Sequence, residues 1–366
     1  MIIIQTRNVG SSKCSGQCEK TTIIDDEGFR NYALLGHTFR ILTNSKLYAC
    51  HYNCFMECRC MSYQMSNAGC ELLDEDRFSK PASFCAKNGF RYYDIKRESV
   101  NQSNILHDGS SCSNTTCQNG CCKSQPCLNN GQCNEYCNNP RLKFNCTCPE
   151  GHTGKLCQIK ARSCKDYIGY ITNGKYVIYS KAGYQIQVFC DFGSEKGFAW
   201  TLVESFSLQN NFKVKSYAFF KNRPLNEHNP NWELYRLSHS NMKGIADVSK
   251  YFRATCQFPV EGIKYVDYVR GKLSVTKLLK PLSWQCHKYD YINIRGHQCY
   301  NCTAKSWQTT TLHMHLSSYH SHGCTLRRVP GTAYLEYNFG VYRKKNHHHR
   351  CSADQTSTTQ WWLGGP

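Results

Sequence analysis

The chain has 366 residues, enough for two or three domains, and its 45 Lys and Arg against 26 Asp and Glu give a formal net charge of +19. A content of 40% hydrophobic and 13% aromatic residues excludes a disordered or collagen-like chain, and no apolar run approaches the ~20 residues of a membrane span. The 26 cysteines exclude an ordinary protein of a reducing compartment and put an oxidised, secreted, multi-module chain first.

The cysteines form three even groups: eight from Cys14 to Cys85, ten from Cys112 to Cys157 and eight from Cys164 to Cys351. Even counts let each module close its own bridges, and that is the expectation. A polar stretch, Glu98-Ser99-Val100-Asn101-Gln102-Ser103-Asn104, separates the first two groups and reads as a linker. The basic charge belongs mainly to the last group, since residues 164–366 carry 26 basic side chains against 12 acidic ones. At the start, Met1-Ile2-Ile3-Ile4 passes directly into Gln5, Thr6 and Arg7, short of the ~7–15-residue apolar core of a signal peptide. The cysteines outweigh that observation, so a truncated start is expected.

In the first module, Thr38–Leu42 alternates apolar and polar residues as a half-buried strand does. The run Cys50-x-x-x-Cys54-x-x-x-Cys58-x-Cys60 spaces cysteines four apart, on one face of a helix that bridges can staple to a neighbouring strand. Short strands are predicted at Met61–Gln64 and Cys70–Leu73 around a turn at Asn67-Ala68-Gly69, and a closing strand at Gly89–Tyr93. Gly36-His37, the cysteine-bearing helix, Cys60-Met61-Ser62-Tyr63, Cys70-Glu71-Leu72 and Gly89-Phe90-Arg91-Tyr92-Tyr93 together resemble a PAN/apple domain over residues 14–95. The resemblance implies a protein- or carbohydrate-binding module, followed by a linker over 96–111.

In the second module, the spacing Cys122-x4-Cys127-x5-Cys133-x12-Cys146-x-Cys148-x8-Cys157, with Asn130-Gly131 and Gly151-His152-Thr153-Gly154, resembles an EGF-like domain within 112–158. So short a module cannot bury a sufficient core, and bridges replace it. The resemblance implies the pairs Cys122–Cys133, Cys127–Cys146 and Cys148–Cys157; Cys112, Cys117, Cys121 and Cys137 lie outside that pattern. Asn-Gly and Gly-x-x-Gly are expected to supply positive-φ turns. The stretch ahead of the first of these cysteines, Ser113–Gly120, holds no carboxylate, so no calcium site is expected there.

The third module opens with Ser163-Cys164-Lys165-Asp166 and continues with short β-type runs at Gly174–Tyr179, Val188–Phe192 and Gly197–Val203. These runs resemble the opening of fibrinogen C-terminal and intelectin-like domains, and the resemblance implies a Cys164–Cys190 bridge and a fibrinogen-related α+β module over 163–366. The aspartate-rich calcium loop of that family is not found: the segment at Cys324 reads Gly-Cys-Thr-Leu-Arg-Arg. The fold class expected for the whole chain is multidomain α+β and disulfide-rich. The three modules in this order look like those of secreted cnidarian extracellular and skeletal organic matrix proteins.

Cys299-x-x-Cys302 with His313, His315, His320, His322 and Cys324 can be drawn as a zinc site. The plainer reading is two disulfides plus surface histidines on alternating strand positions. His347-His348-His349 reads as an extension of a basic loop, and no metal or cofactor is expected. Arg343, Lys344, Lys345 and Arg350, with Arg327 and Arg328, could form a cationic face, and Trp361 and Trp362 could stack on a sugar or pack in the core. Secretion argues against nucleic acid, leaving sulfated or carboxylated glycans or an acidic matrix as the natural counter-surface. Glycosylation acceptors occur at Asn101, Asn114, Asn145 and Asn301, the last two with cysteine in the middle position. No Gly-x-Ser-x-Gly, His-Glu-x-x-His, phosphate-binding loop or dinucleotide fingerprint is present, so no enzyme is expected. The expected function is a secreted matrix or adhesion protein that binds glycans or matrix proteins. A soluble fibrinogen-related lectin and a structural component of a skeletal organic matrix are the alternatives.

Overall fold

Residues 2–4, 19–23, 28–99, 120–136, 139, 141–167, 172–334 and 336–366 are described by a computed structural model. They divide into two units, Met1–Pro149 with Lys155–Gln158, and Glu150–Gly154 with Ile159–Pro366. Both are mostly β.

The first unit runs β1 (Ile2–Ile4), β2 (Glu19–Ile23), β3 (Phe29–Leu34), β4 (Thr38–Leu42), α1 (Leu47–Met56), β5 (Ser62–Ser66), β6 (Gly69–Leu73), β7 (Phe84–Asp94), β8 (Arg97–Ser99), β9 (Gln132–Glu135) and β10 (Phe144–Thr147). Five strands make a sheet in the order β3-β7-β5-β6-β4; β1, β2 and β8 make another, and β9 and β10 pair as a hairpin. A helix of 10 residues with no side-chain cap is marginal alone. Packing and sulfur hold α1: Cys50, Cys54 and Phe55 join a buried cluster with Tyr63, Leu72 and Tyr93, and Cys50 is bridged to Cys70 of β6. The helix ends at Met56, so Cys58 and Cys60 lie beyond the predicted helical face. Cys60 turns back to bridge Cys54.

The second unit runs β11 (His152–Thr153), β12 (Ile159–Lys160), β13 (Gly174–Tyr179), β14 (Gln185–Asp191), β15 (Ala199–Ser207), β16 (Leu234–Arg236), α2 (His239–Ala246), β17 (Tyr251–Cys256), α3 (Phe258–Glu261), β18 (Tyr268–Lys272), β19 (Leu282–Ile294), β20 (His297–Thr309), β21 (Leu312–Ser317), β22 (Tyr337–Asn338) and β23 (Thr358–Gly365). Eleven strands form one antiparallel sheet in the order β13-β14-β15-β23-β17-β18-β19-β20-β21-β22, with β16 also paired to β15. The last strand, β23, inserts between β15 and β17. That position seals Trp361 and Trp362 in a core with Trp200, Phe206, Phe219 and Phe252. The expected α+β character reduces to three short α-helices of 10, 8 and 4 residues among the described residues.

One expectation is corrected. The first two cysteine groups do not close separately, because Cys58 of the first is bridged to Cys121 of the second. The even counts allowed self-closure without requiring it. The expected positive-φ turns are present, carried by Asn129 and Asn130 at φ 52° and 63° and by Gly151 and Gly154 at φ 80° and 90°. Glycine is needed at 131 for space, since a Cβ there would lie 2.7 Å from Cys157 Sγ and 3.1 Å from Cys127 Cβ. Asn101, Asn114, Cys112, Cys117 and Cys137, and the linker beyond Ser99, lie outside the described residues.

Candidate functional site

Around the β9-β10 hairpin, sulfur takes the place of a core. Cys122–Cys133, Cys127–Cys146 and Cys148–Cys157 are bridged, the pairs that the EGF-like resemblance implies. The hairpin is tied to the five-stranded sheet by more than Cys58–Cys121. Arg141 forms a two-pronged pair with Asp76, its Nε donating to Oδ2 at 2.6 Å. Arg97 donates to the Cys60 carbonyl at 2.7 Å and the Arg141 carbonyl at 3.1 Å. The buried Lys143 ammonium donates to the carbonyls of Phe55 and Glu57 at the end of α1, where backbone acceptors lack intrahelical partners. A cavity of about 420 Å³ lies here, lined by His37, Arg59, Asp74, Lys143, Asn145 and Lys155 among others. Asn145 is exposed, so a glycan on it would rise from this cleft.

The second unit buries charge. Glu204 of β15 has no exposed surface and is flanked by Arg236 and His313. His313 Nε2 lies 2.6 Å from Glu204 Oε1 and Nδ1 lies 2.8 Å from the Met314 carbonyl. Both ring nitrogens therefore face acceptors. Burial alone would raise the Glu204 pKa, but the two cations outweigh it and the carboxyl is held below its ordinary value. Arg253 of β17 forms a second buried centre. It pairs with Asp191 at 2.5 Å, and its guanidinium lies 4.6 Å from the Trp200 ring and 4.9 Å from the Trp362 ring.

These interiors correct several site expectations. Trp361 donates to the Phe339 carbonyl at 2.8 Å, and Trp362 to Thr255 Oγ1 at 3.0 Å. Both are fully buried, so neither is open to a sugar. His313 and His315 are also buried, so they are not the surface histidines expected. Alternation fails as a guide in β21 because His313, Met314 and His315 are all enclosed. Cys299 bridges Cys302, and Cys286 bridges Cys324, which spends the sulfurs of the drawn zinc site. His349 leaves the predicted basic loop for the interior; its ring nitrogen lies within 4.8 Å of the sulfurs of Cys256 and Cys351, themselves bridged to each other. Cys164–Cys190 is bridged. Cys85 has no bridging partner among the described residues.

The basic run divides. Arg350 is used internally, donating to Glu261 at 2.8 Å and to the Val266 carbonyl at 2.8 Å. Arg343, Lys344 and Lys345 remain exposed and line a cavity of about 450 Å³ with Arg295, Tyr334, Glu336 and Tyr337. Arg327 and Arg328 do not line it; Arg328 lies over Tyr319 instead, 4.1 Å from the ring centre. Asn301 is exposed in β20.

Buried neutral histidines give the stability a pH dependence. His51 on α1 meets Thr21 Oγ1 at 2.9 Å and Tyr63 Oη at 3.1 Å. Burial, with the Arg97 charge, pushes its pKa down to about 4. Burial likewise pushes His315 down to about 3. Unfolding returns both towards 6.5, so below that pH the unfolded chain binds protons that the folded chain does not. Stability therefore falls as pH drops below 6.5, for the first unit down to about 4 and for the second down to about 3, by roughly 3–5 kcal/mol each at most. Melting temperatures taken across that window should decline steadily, and His51→Gln should flatten the decline. A flat profile for the wild type contradicts the burial of these rings.

Residues 122–156 match the family described as EGF-like domain. No curated protein matches the chain. Among the described residues, no helix is long and apolar enough to cross a membrane. The chain thus contains an EGF-like domain in a disulfide-rich, mostly β protein, a combination that suggests the oxidising extracellular space and is consistent with a matrix or adhesion protein.

Proposed function

We propose that the protein is a secreted, non-catalytic adhesion or extracellular matrix protein whose PAN/apple-like, EGF-like and fibrinogen-related modules bind extracellular glycans or matrix proteins. The observation that carries this reading is the covalent joining of the first unit through Cys58–Cys121 beside the three EGF-like bridges. Such a body keeps its binding surfaces in fixed relation outside the cell, and several weak sites on one chain give avidity through effective concentration. The PAN/apple-like assignment is supported by a five-stranded sheet carrying a helix bridged to β6. The fibrinogen-related one is supported by Cys164–Cys190 ahead of the β15 segment Ala199-Trp200-Thr201-Leu202-Val203.

Expression of the intact protein in matrix-depositing cells tests the reading. It should be recovered in the insoluble extracellular fraction and be released by salt or by soluble glycan. Quantitative recovery in the medium, with none held by the matrix, overturns it.

A further inference from the structure

We propose that the C-terminal unit binds a polyanionic saccharide on a surface where exposed and half-buried aromatic rings run into the cationic cavity of Arg343, Lys344 and Lys345. The proposal rests on the adhesive reading above and names its ligand class. The ring run begins at Trp284, 43% exposed on β19, and ends at Tyr334, 69% exposed in the cavity wall. Between them, the His320 ring centre lies 5.2 Å from Trp284 and 5.9 Å from Tyr334, and Tyr319 lies 5.0 Å from His320 and 5.4 Å from Tyr334. The run has a firm backing. Buried Trp307 packs against Trp284 and lies 5.0 Å from Tyr337, over which the Arg343 guanidinium sits at 5.4 Å. Single exposed rings are ordinary on protein surfaces; a connected run that ends at a cluster of exposed cations is not.

The charge balance points the same way. Four cations and one carboxylate line the cavity. That carboxylate, Glu336, is already engaged by Arg295 at 3.4 Å, the Ser318 hydroxyl at 3.2 Å and the Ala333 N–H at 3.2 Å. Arg343, Lys344 and Lys345 have no ion pair among the described residues, and Arg328 over Tyr319 and Lys305 near Trp284 place further cations along the rings. Sulfate or carboxylate groups on a sugar chain would meet the cations while pyranose C–H faces lie on the rings. An acidic polypeptide would use the cations and leave the rings unexplained. With Glu336 engaged, the cavity offers no free carboxylate for a bridging cation, so binding should survive chelation.

The test is retention of the intact chain on immobilised heparin, hyaluronan and polyglutamate, with chelator present. Arg343→Ser/Lys344→Ser/Lys345→Ser should weaken heparin binding roughly tenfold. A control of equal charge loss, Lys243→Ser/Lys277→Ser/Lys280→Ser, should weaken it far less. Tyr334→Ala should weaken binding to polysaccharide and leave polyglutamate unaffected. Retention on heparin alone assigns the site to sulfate, and retention on both polysaccharides assigns it to either anion. Equal losses in the two triple variants overturn the site, as does tight polyglutamate binding with an indifferent Tyr334→Ala. Unimpaired retention in cell-laid matrix by the Arg343→Ser/Lys344→Ser/Lys345→Ser variant would also overturn it while leaving the adhesive reading standing.

Discussion

Cys58→Ser/Cys121→Ser is expected to lower the unfolding free energy of the first unit by about 4 kcal/mol, the chain-entropy value for a bridge across a sequence separation of 63 residues. The paired substitution matters, because a lone serine would leave a thiol next to Cys122 and invite reshuffling. What remains is polar: the Arg141–Asp76 pair, the Arg97 contacts and the Lys143 ammonium on the α1 carbonyls. The Arg141–Asp76 pair, exposed on its arginine side, contributes about 0–1 kcal/mol, and the buried Arg97 and Lys143 contacts are hydrogen bonds to carbonyls that set the register without a covalent tie. Calorimetry should show the sheet and the hairpin melting in separate steps in the variant and together in the wild type. An unchanged melting profile would mean that the bridge does not constrain the unit.

Glu204→Gln should cost the second unit about 3–5 kcal/mol. The substitution keeps the shape and removes the charge, leaving Arg236 enclosed without a counter-ion and changing the partner of His313. Burial makes the cost large, since the Arg236 guanidinium has no exposed surface through which to recruit water. Replacing the set together, by Glu204→Met/Arg236→Leu/His313→Phe, should cost much less, because no buried charge is then left unpaired. Denaturant midpoints of the two variants against wild type decide the matter. Equal losses in both would place the effect in packing rather than in charge.

The parts legible in the sequence were those set by spacing along the chain. Cys122, Cys127, Cys133, Cys146, Cys148 and Cys157 carry their EGF-like pattern in intervals alone, and in the first unit β4, β5 and β6 fall on segments with strand periodicity and turn residues. What was not legible depends on partners far away in the chain. Cys58–Cys121 was hidden because an even count is compatible with closure inside or across groups. Arg350 left the basic run because Glu261 and Val266, over 80 residues earlier, capture its guanidinium. His313 reads as polar, yet its partner Glu204 lies 109 residues away. Trp361 and Trp362 were open to two readings until β23 was placed inside the sheet. Trp284, Tyr319, His320 and Tyr334 share no local motif; only the course of β19 and the segment after β21 brings them together.

Sulfur–sulfur bonds, one of them crossing from the first cysteine group into the second, hold the first unit together. Peptide mapping of the unreduced protein, alkylated as it is isolated, tests this most directly. A linked peptide joining Cys58 to Cys121 is expected, together with the three EGF-like pairs. Quantitative alkylation of those cysteines without a reductant would contradict both the architecture and the extracellular assignment.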